Sequence, residues 1–198
     1  MSNIQDSSQL DRCDVTIETD SDIRIEIMTD HQVTCQINSQ LVRAAVLAAA
    51  NERGFKRGNI GIRITDDATI HRINQVHLGH DYPTDVISFD YGSAEPTIDG
   101  EMVVSADMAA WRAAELGWPM DHELALYIVH GTLHIAGFDD ISDSDRESMR
   151  AAEQRVMISL GIEQITRFGP ASTRDADAET RQDESKREPK CRPREEQA

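Results

Sequence analysis

Apolar and polar positions alternate strictly in two stretches of the chain. Ile23–Met28 reads I-R-I-E-I-M, and Asn59–Thr65 reads N-I-G-I-R-I-T. A period of two puts one set of side chains in a core and leaves the other wet, which predicts two strands. Between them L-V-R-A-A-V-L-A-A-A-N-E-R is rich in strong helix formers. Asn38 or Ser39 caps its start, Arg53 ends it, and Gly54 stops it. Asp66 or Asp67 caps a short helix to about Val76. V-I-S-F-D-Y from Val86 and E-M-V-V-S from Glu101 predict two further strands, with Gly92, Pro96 and Gly100 in the loop between them. From Ala106 the pattern turns helical and Gly117 ends it. Met120 or Asp121 begins the next helix, which stops near Gly137. Ser142 or Asp143 caps a last one to Leu160, before Gly161. The predicted order is βαβαββααα: an α+β domain with a roughly four-stranded sheet covered by helices.

Composition sharpens the boundaries. Residues 1–22 are polar and predict a flexible N-terminal segment, residues 23–165 the folded domain, and residues 171–198 a disordered charged tail. The start carries no basic stretch followed by an apolar one, so it does not read as a secretory signal. No apolar run reaches the length of a membrane span. Cys13, Cys35 and Cys191 are odd in number and far apart, which predicts a reduced, cytoplasmic setting and no disulfide framework. No glycine-rich dinucleotide fingerprint enters the reading. The formal net charge of −16 argues against broad nonspecific binding to nucleic acid. Any polyanion must meet a local basic spot or a metal ion.

The chemistry concentrates in Y-I-V-H-G-T-L-H-I-A-G-F-D-D, Tyr127 to Asp140. On a helix, residues four apart share a face on adjacent turns, so His130 and His134 can reach one ion at about 2.0–2.1 Å. Gly137 turns the chain back, and Asp140 arrives three residues later as a third ligand. Asp139 is the competing ligand. Asp143 and Asp145 suit the first turn of the next helix. The other reading of the pair is two packed core histidines followed by a helix-ending glycine. Three ligands with a fourth position left for water describe a catalytic site more often than a structural one. Metalloproteases of the H-E-x-x-H type place their general base after the first histidine. Here that residue is Gly131, so peptidase chemistry of that kind is not expected, although the H-x-x-x-H-x-x-G spacing matches the longer motif of one such group.

Three blocks together resemble the YbeY family of rRNA-maturation endoribonucleases. H-G-T-L-H-I-A-G-F-D-D resembles the family's H-G-x-L-H-L-x-G-Y-D-H. D-Y-P-T-D-V-I-S-F-D, from Asp81 to Asp90, resembles its T-D-V-L-S-F strand. G-E-M-V-V-S, from Gly100 to Ser105, resembles its G-D-I-x-I-S strand. The resemblance runs from about Ile23 to Leu160. It implies one zinc ion per chain held by His130, His134 and Asp140, and hydrolysis of single-stranded RNA. It also implies a role in 3′-end maturation of 16S rRNA and late quality control, with rRNA and the small ribosomal subunit as partners in the cytoplasm. The family's third ligand is usually histidine, and its L-N-x-x-Y-R segment carries an arginine where this chain has Leu78. His80 is nearby and is the candidate substitute. Glu101 stands where the family has aspartate. Thr84 and Asp85 cap the start of a strand or, with Ser88, line the cleft. Trp111 and Trp118 read as core contacts. Two other readings remain open: a ribosome-assembly interaction protein with a mainly structural zinc, and a metal-dependent hydrolase of another substrate.

Overall fold

A computed structural model describes residues 21–163. The flexible segment and charged tail expected from composition lie outside these residues, apart from Ser21 and Asp22. Nine elements follow in the predicted order: β1 (Asp22–Thr29), α1 (Ser39–Asn51), β2 (Arg57–Thr65), α2 (Asp67–Leu78), β3 (Val86–Asp90), β4 (Thr97–Ser105), α3 (Ala106–Leu116), α4 (Met120–Ile135) and α5 (Asp143–Ser159). Cap chemistry sets most helix ends. Asn38, Asp66, Ser105 and Ser142 each accept a hydrogen bond from a backbone N–H in the first turn, and Ser142 forms a reciprocal capping box with Asp145. α2 runs two residues past the expected Val76, because the left-handed residue that ends it is Gly79.

The sheet order is β1-β2-β4-β3. β1, β2 and β4 are parallel, while β3 runs antiparallel to β4 along the edge. β4 begins at Thr97, four residues before the expected Glu101. Gly100 is therefore inside a strand, and its neighbours explain it. A Cβ there would lie 2.6 Å from the Phe89 carbonyl oxygen and 2.8 Å from Ile135 Cγ2. α4 sits on the strand at that point, and only glycine lets it approach.

Successive residues of a strand face opposite sides. Ile60, Ile62, Ile64, Met102 and Val104 point into the main core, with Val42, Ala45, Val46, Ala49 and Ala50 of α1 packed over them. The alternate residues Ile87 and Val103 meet Ile70 of α2 on the other side. α4 is the central helix. Leu124 to Val129, Leu133 and Ile135 are all buried, and it touches α1, α3, α5, β3 and β4. Burying each large aliphatic side chain contributes about 1.5–3 kcal/mol. Groups carried by α4 are consequently held on the most firmly packed element of the domain.

Gly131 marks where α4 meets the edge strand. A Cβ added to it would lie 2.9 Å from Ser88 Oγ, 3.0 Å from Val86 Cγ2 and 3.3 Å from Met102 Sδ. A glutamate of the metalloprotease type has no room there. The residue that sequence reading noticed as a missing base is a packing requirement of the helix against the sheet.

Candidate metal centre

His130 and His134 lie one turn apart on α4, rotated from the sheet-facing Gly131 towards α5. α4 ends in a turn with two nested hydrogen bonds, Phe138 N–H to Leu133 O and Gly137 N–H to His134 O, and Gly137 has φ 86°. The turn does two things for the site. It swings Asp140 back to the helix, so that its carboxylate oxygens lie 3.9 Å from both His130 Nε2 and His134 Nε2. It also presents the Phe138 carbonyl to His134 Nδ1, at 3.1 Å.

The tautomers follow from these partners. A carbonyl oxygen only accepts, so His134 carries its proton on Nδ1 and leaves the Nε2 lone pair bare. His130 Nδ1 lies 2.6 Å from Glu153 Oε1 of α5, and donation to that carboxylate leaves its Nε2 bare too. The two Nε2 atoms are 3.0 Å apart. Two lone pairs at that distance repel unless a cation lies between them or one nitrogen is protonated. Burial first, and the neighbouring His130 second, hold the His134 imidazole below its ordinary pKa, which favours the neutral ligand form.

The donor set fits a divalent metal. One atom from each of His130, His134 and Asp140 lies within 4.8 Å of the others. Ligands bound tetrahedrally at about 2.0–2.1 Å are roughly 3.3 Å apart, so only small movements gather these three. Two imidazoles and a carboxylate suit zinc, and three protein ligands leave a fourth position for water or substrate. Glu153 and the Phe138 carbonyl supply the outer hydrogen bonds that orient metal-binding histidines. Arg146 holds the ligand loop by donating to the carbonyls of Asp140 and Ile141.

The order of residues thus comes together around Asp140. Asp139 instead accepts a hydrogen bond from the Asp140 N–H, at 2.8 Å. His80 is not in the group. Its ring stacks on Tyr82 with centroids 5.4 Å apart, in the connection between α2 and β3. Leu78 is half-exposed at the end of α2. Thr84 donates to Asp85, whose carboxylate also accepts from the Val86 N–H, a cap on the start of β3. Trp111 and Trp118 pack against the core. Glu153 escaped the sequence reading. It is 2% exposed on the apolar stripe of α5 between Ala152 and Val156, and an acid in that stripe was the available signal.

The family profile described as Endoribonuclease YbeY matches residues 24–161. The chain belongs to the YbeY family. A relative named Endoribonuclease YbeY from Rhodopirellula baltica is 52% identical over 127 residues, which are 63% of this chain and 65% of that protein. The chain therefore spans just under two thirds of that relative's length. A relative of the same name from Roseiflexus castenholzii is 34% identical over 72% of this chain and 96% of its own. One from a further Roseiflexus species is 35% identical over 73% and 97%. The family match covers β1 from Arg24 onward and every later element to α5, with both histidines, the turn and Asp140. Among the described residues no helix is long and apolar enough to cross a membrane.

Proposed function

We propose that this protein is a zinc-dependent endoribonuclease that cleaves single-stranded RNA during 3′-end maturation of 16S rRNA and late quality control of the small ribosomal subunit. The observation that carries the reading is the pair of bare Nε2 atoms 3.0 Å apart, faced by the Asp140 carboxylate, in a chain of the YbeY family. His130, His134 and Asp140 would hold one ion per chain. A bound zinc supplies Lewis acidity towards a phosphoryl oxygen and makes a water acidic enough to ionise near neutral pH. The chain's own part is orientation. Glu153 and the Phe138 carbonyl fix the imidazole tautomers, and the packed α4 fixes their spacing. Asp140 contributes one negative charge where the family's usual histidine would contribute none, so its site is a weaker acidifier of water than a three-histidine one.

The charge of −16 limits free affinity for RNA. Basic ribosomal proteins of the small subunit, in the cytoplasm, would supply the docking that this surface does not. The test combines elemental analysis with cleavage of a defined single-stranded rRNA fragment, with and without chelator, for the wild type and for His130→Ala and His134→Ala. The expected result is about one zinc per wild-type chain, and loss of both metal and cleavage in the variants. Full zinc occupancy in either variant removes the site assignment. A zinc-loaded wild type that binds the small subunit but never cleaves RNA would make the metal structural and the protein an assembly factor.

A further inference from the structure

Helix α5 carries three arginines, and two of them are already engaged. Arg146 is held by the Asp143 carboxylate and the carbonyls of Asp140 and Ile141. Arg155 is held by Glu52. Arg150 is different: it is half-buried, and among the described residues it makes neither a hydrogen bond nor an ion pair. In a protein with 36 acidic residues against 20 basic ones, Arg150 is a cation that no carboxylate of the described residues contacts. Its position is set by the helix. At about 100° per residue, Arg146, Arg150 and Glu153 fall within roughly 60° of arc. The two that flank Arg150 both touch the metal centre's own residues, Arg146 through Asp140 and Glu153 through His130. Arg150 therefore projects from the same side of α5, about one turn from each.

We infer that Arg150 binds a phosphate of the RNA strand at the metal centre, a role that rests on the reading of the site as an RNA nuclease. Its guanidinium offers five fixed donors in a fork that matches two phosphate oxygens at once. A phosphate arriving there displaces no existing partner.

The test measures binding of a short labelled 2′-O-methyl RNA by fluorescence anisotropy to the zinc-loaded protein, between about 50 and 200 mM salt. Arg150→Gln is expected to weaken binding about tenfold at the low-salt end. The slope of log affinity against log salt should fall by about 0.7, the loss of one phosphate contact on a single strand. Arg150→Lys should keep the slope and lose part of the affinity. Arg24→Gln removes the same charge from β1, where Arg24 is exposed and paired with Glu26, and should leave both unchanged. Melting temperature and zinc content should match the wild type in all three. Equal affinity and slope in Arg150→Gln would overturn the contact while leaving the nuclease reading intact. An equal effect from Arg24→Gln would reduce it to bulk charge, and a fall in melting temperature or zinc content would make Arg150 structural. A zinc-loaded wild type that binds no RNA at low salt would overturn the nuclease reading and the contact with it.

Discussion

Glu153→Gln is the most informative single change, because it separates charge from shape at a buried position. Glu153 Oε1 lies 2.6 Å from His130 Nδ1, and the residue is 2% exposed. Glutamine fills the same volume, and its carbonyl oxygen can still accept from Nδ1–H, so the tautomer of His130 is kept. What is lost is one negative charge. The hydrogen bond, the width of the ring and a bond of about 2.1 Å place that charge roughly 6.5 Å from an ion on Nε2. At an effective dielectric of about 20, one charge and a divalent ion at that distance interact by about 5 kcal/mol, which is a ceiling. Screening, and the desolvation that the buried carboxylate no longer suffers, reduce it. Outer-shell partners of metal-bound histidines typically change affinity by about 10- to 100-fold, or roughly 1.4–2.8 kcal/mol. The assay is competition for zinc against a chromophoric chelator of known affinity. The expected result is a Kd raised about 10- to 100-fold for Glu153→Gln and more for Glu153→Ala, which also removes the acceptor. The metal-free melting temperature of Glu153→Gln should not fall. A zinc Kd within threefold of the wild type would refute the reasoning, since the carboxylate would then not act on His130 as a metal ligand.

Two further outcomes follow from neighbouring geometry. Asp140→Ala should strongly weaken zinc and Asp139→Ala should do little, both read by metal content after dialysis, because only Asp140 faces the two Nε2 atoms; Asp140→His should retain zinc and move the rising limb of the pH–rate profile for RNA cleavage to lower pH. Burial first, and then the charges of Asp67 and Asp66, raise the pKa of Asp107, so its ionised form opposes folding and its contribution to stability declines as pH rises above the ordinary aspartate range; Asp107→Asn, which can still accept from the Asp67 N–H, should be more stable than the wild type at pH 7 in urea titrations, with the gap closing towards pH 4.

The parts of this fold that were legible in the sequence are those decided locally. The isoleucine alternation of β1 and β2, the caps at Asn38, Asp66 and Ser142, and the glycine stops are all interactions between residues a few positions apart. The spacing of His130, His134, Gly137 and Asp140 is local in the same sense, and so three candidate ligands could be named without coordinates. Gly100 shows where that logic fails. As a local signal it marks a loop, but the need for it comes from Ile135, thirty-five residues later, pressing against β4. The parallel pairing of β1, β2 and β4, and the placement of β3 outside β4, are likewise set by packing between distant segments. Glu153 was hidden for a related reason. Written in sequence it is one acid among several on α5, and its role exists only because α5 lays that face against α4.

Charge at the metal centre argues for a last prediction. Asp139, Asp140 and Glu153 contribute three formal negative charges, and Arg146 and Arg150 contribute two positive ones. Without an ion the surroundings of the histidine pair are acidic, since Arg146 is already held by the Asp143 carboxylate. A phosphodiester approaching that point is repelled, and the rest of a chain with net charge −16 adds to the repulsion. A divalent ion adds two positive charges at that point and offsets the repulsion. RNA affinity, and not only turnover, should then depend on metal. Chelated wild type should bind the labelled 2′-O-methyl RNA more weakly than the zinc-loaded protein, with the difference largest at low salt, where screening is least. Restoring zinc should restore binding, and His134→Ala should bind like the chelated wild type whether zinc is added or not. If chelation abolishes cleavage but leaves affinity unchanged across the salt series, the RNA is held by surfaces remote from the centre. The charge added at the histidine pair would then play no part in recruiting it.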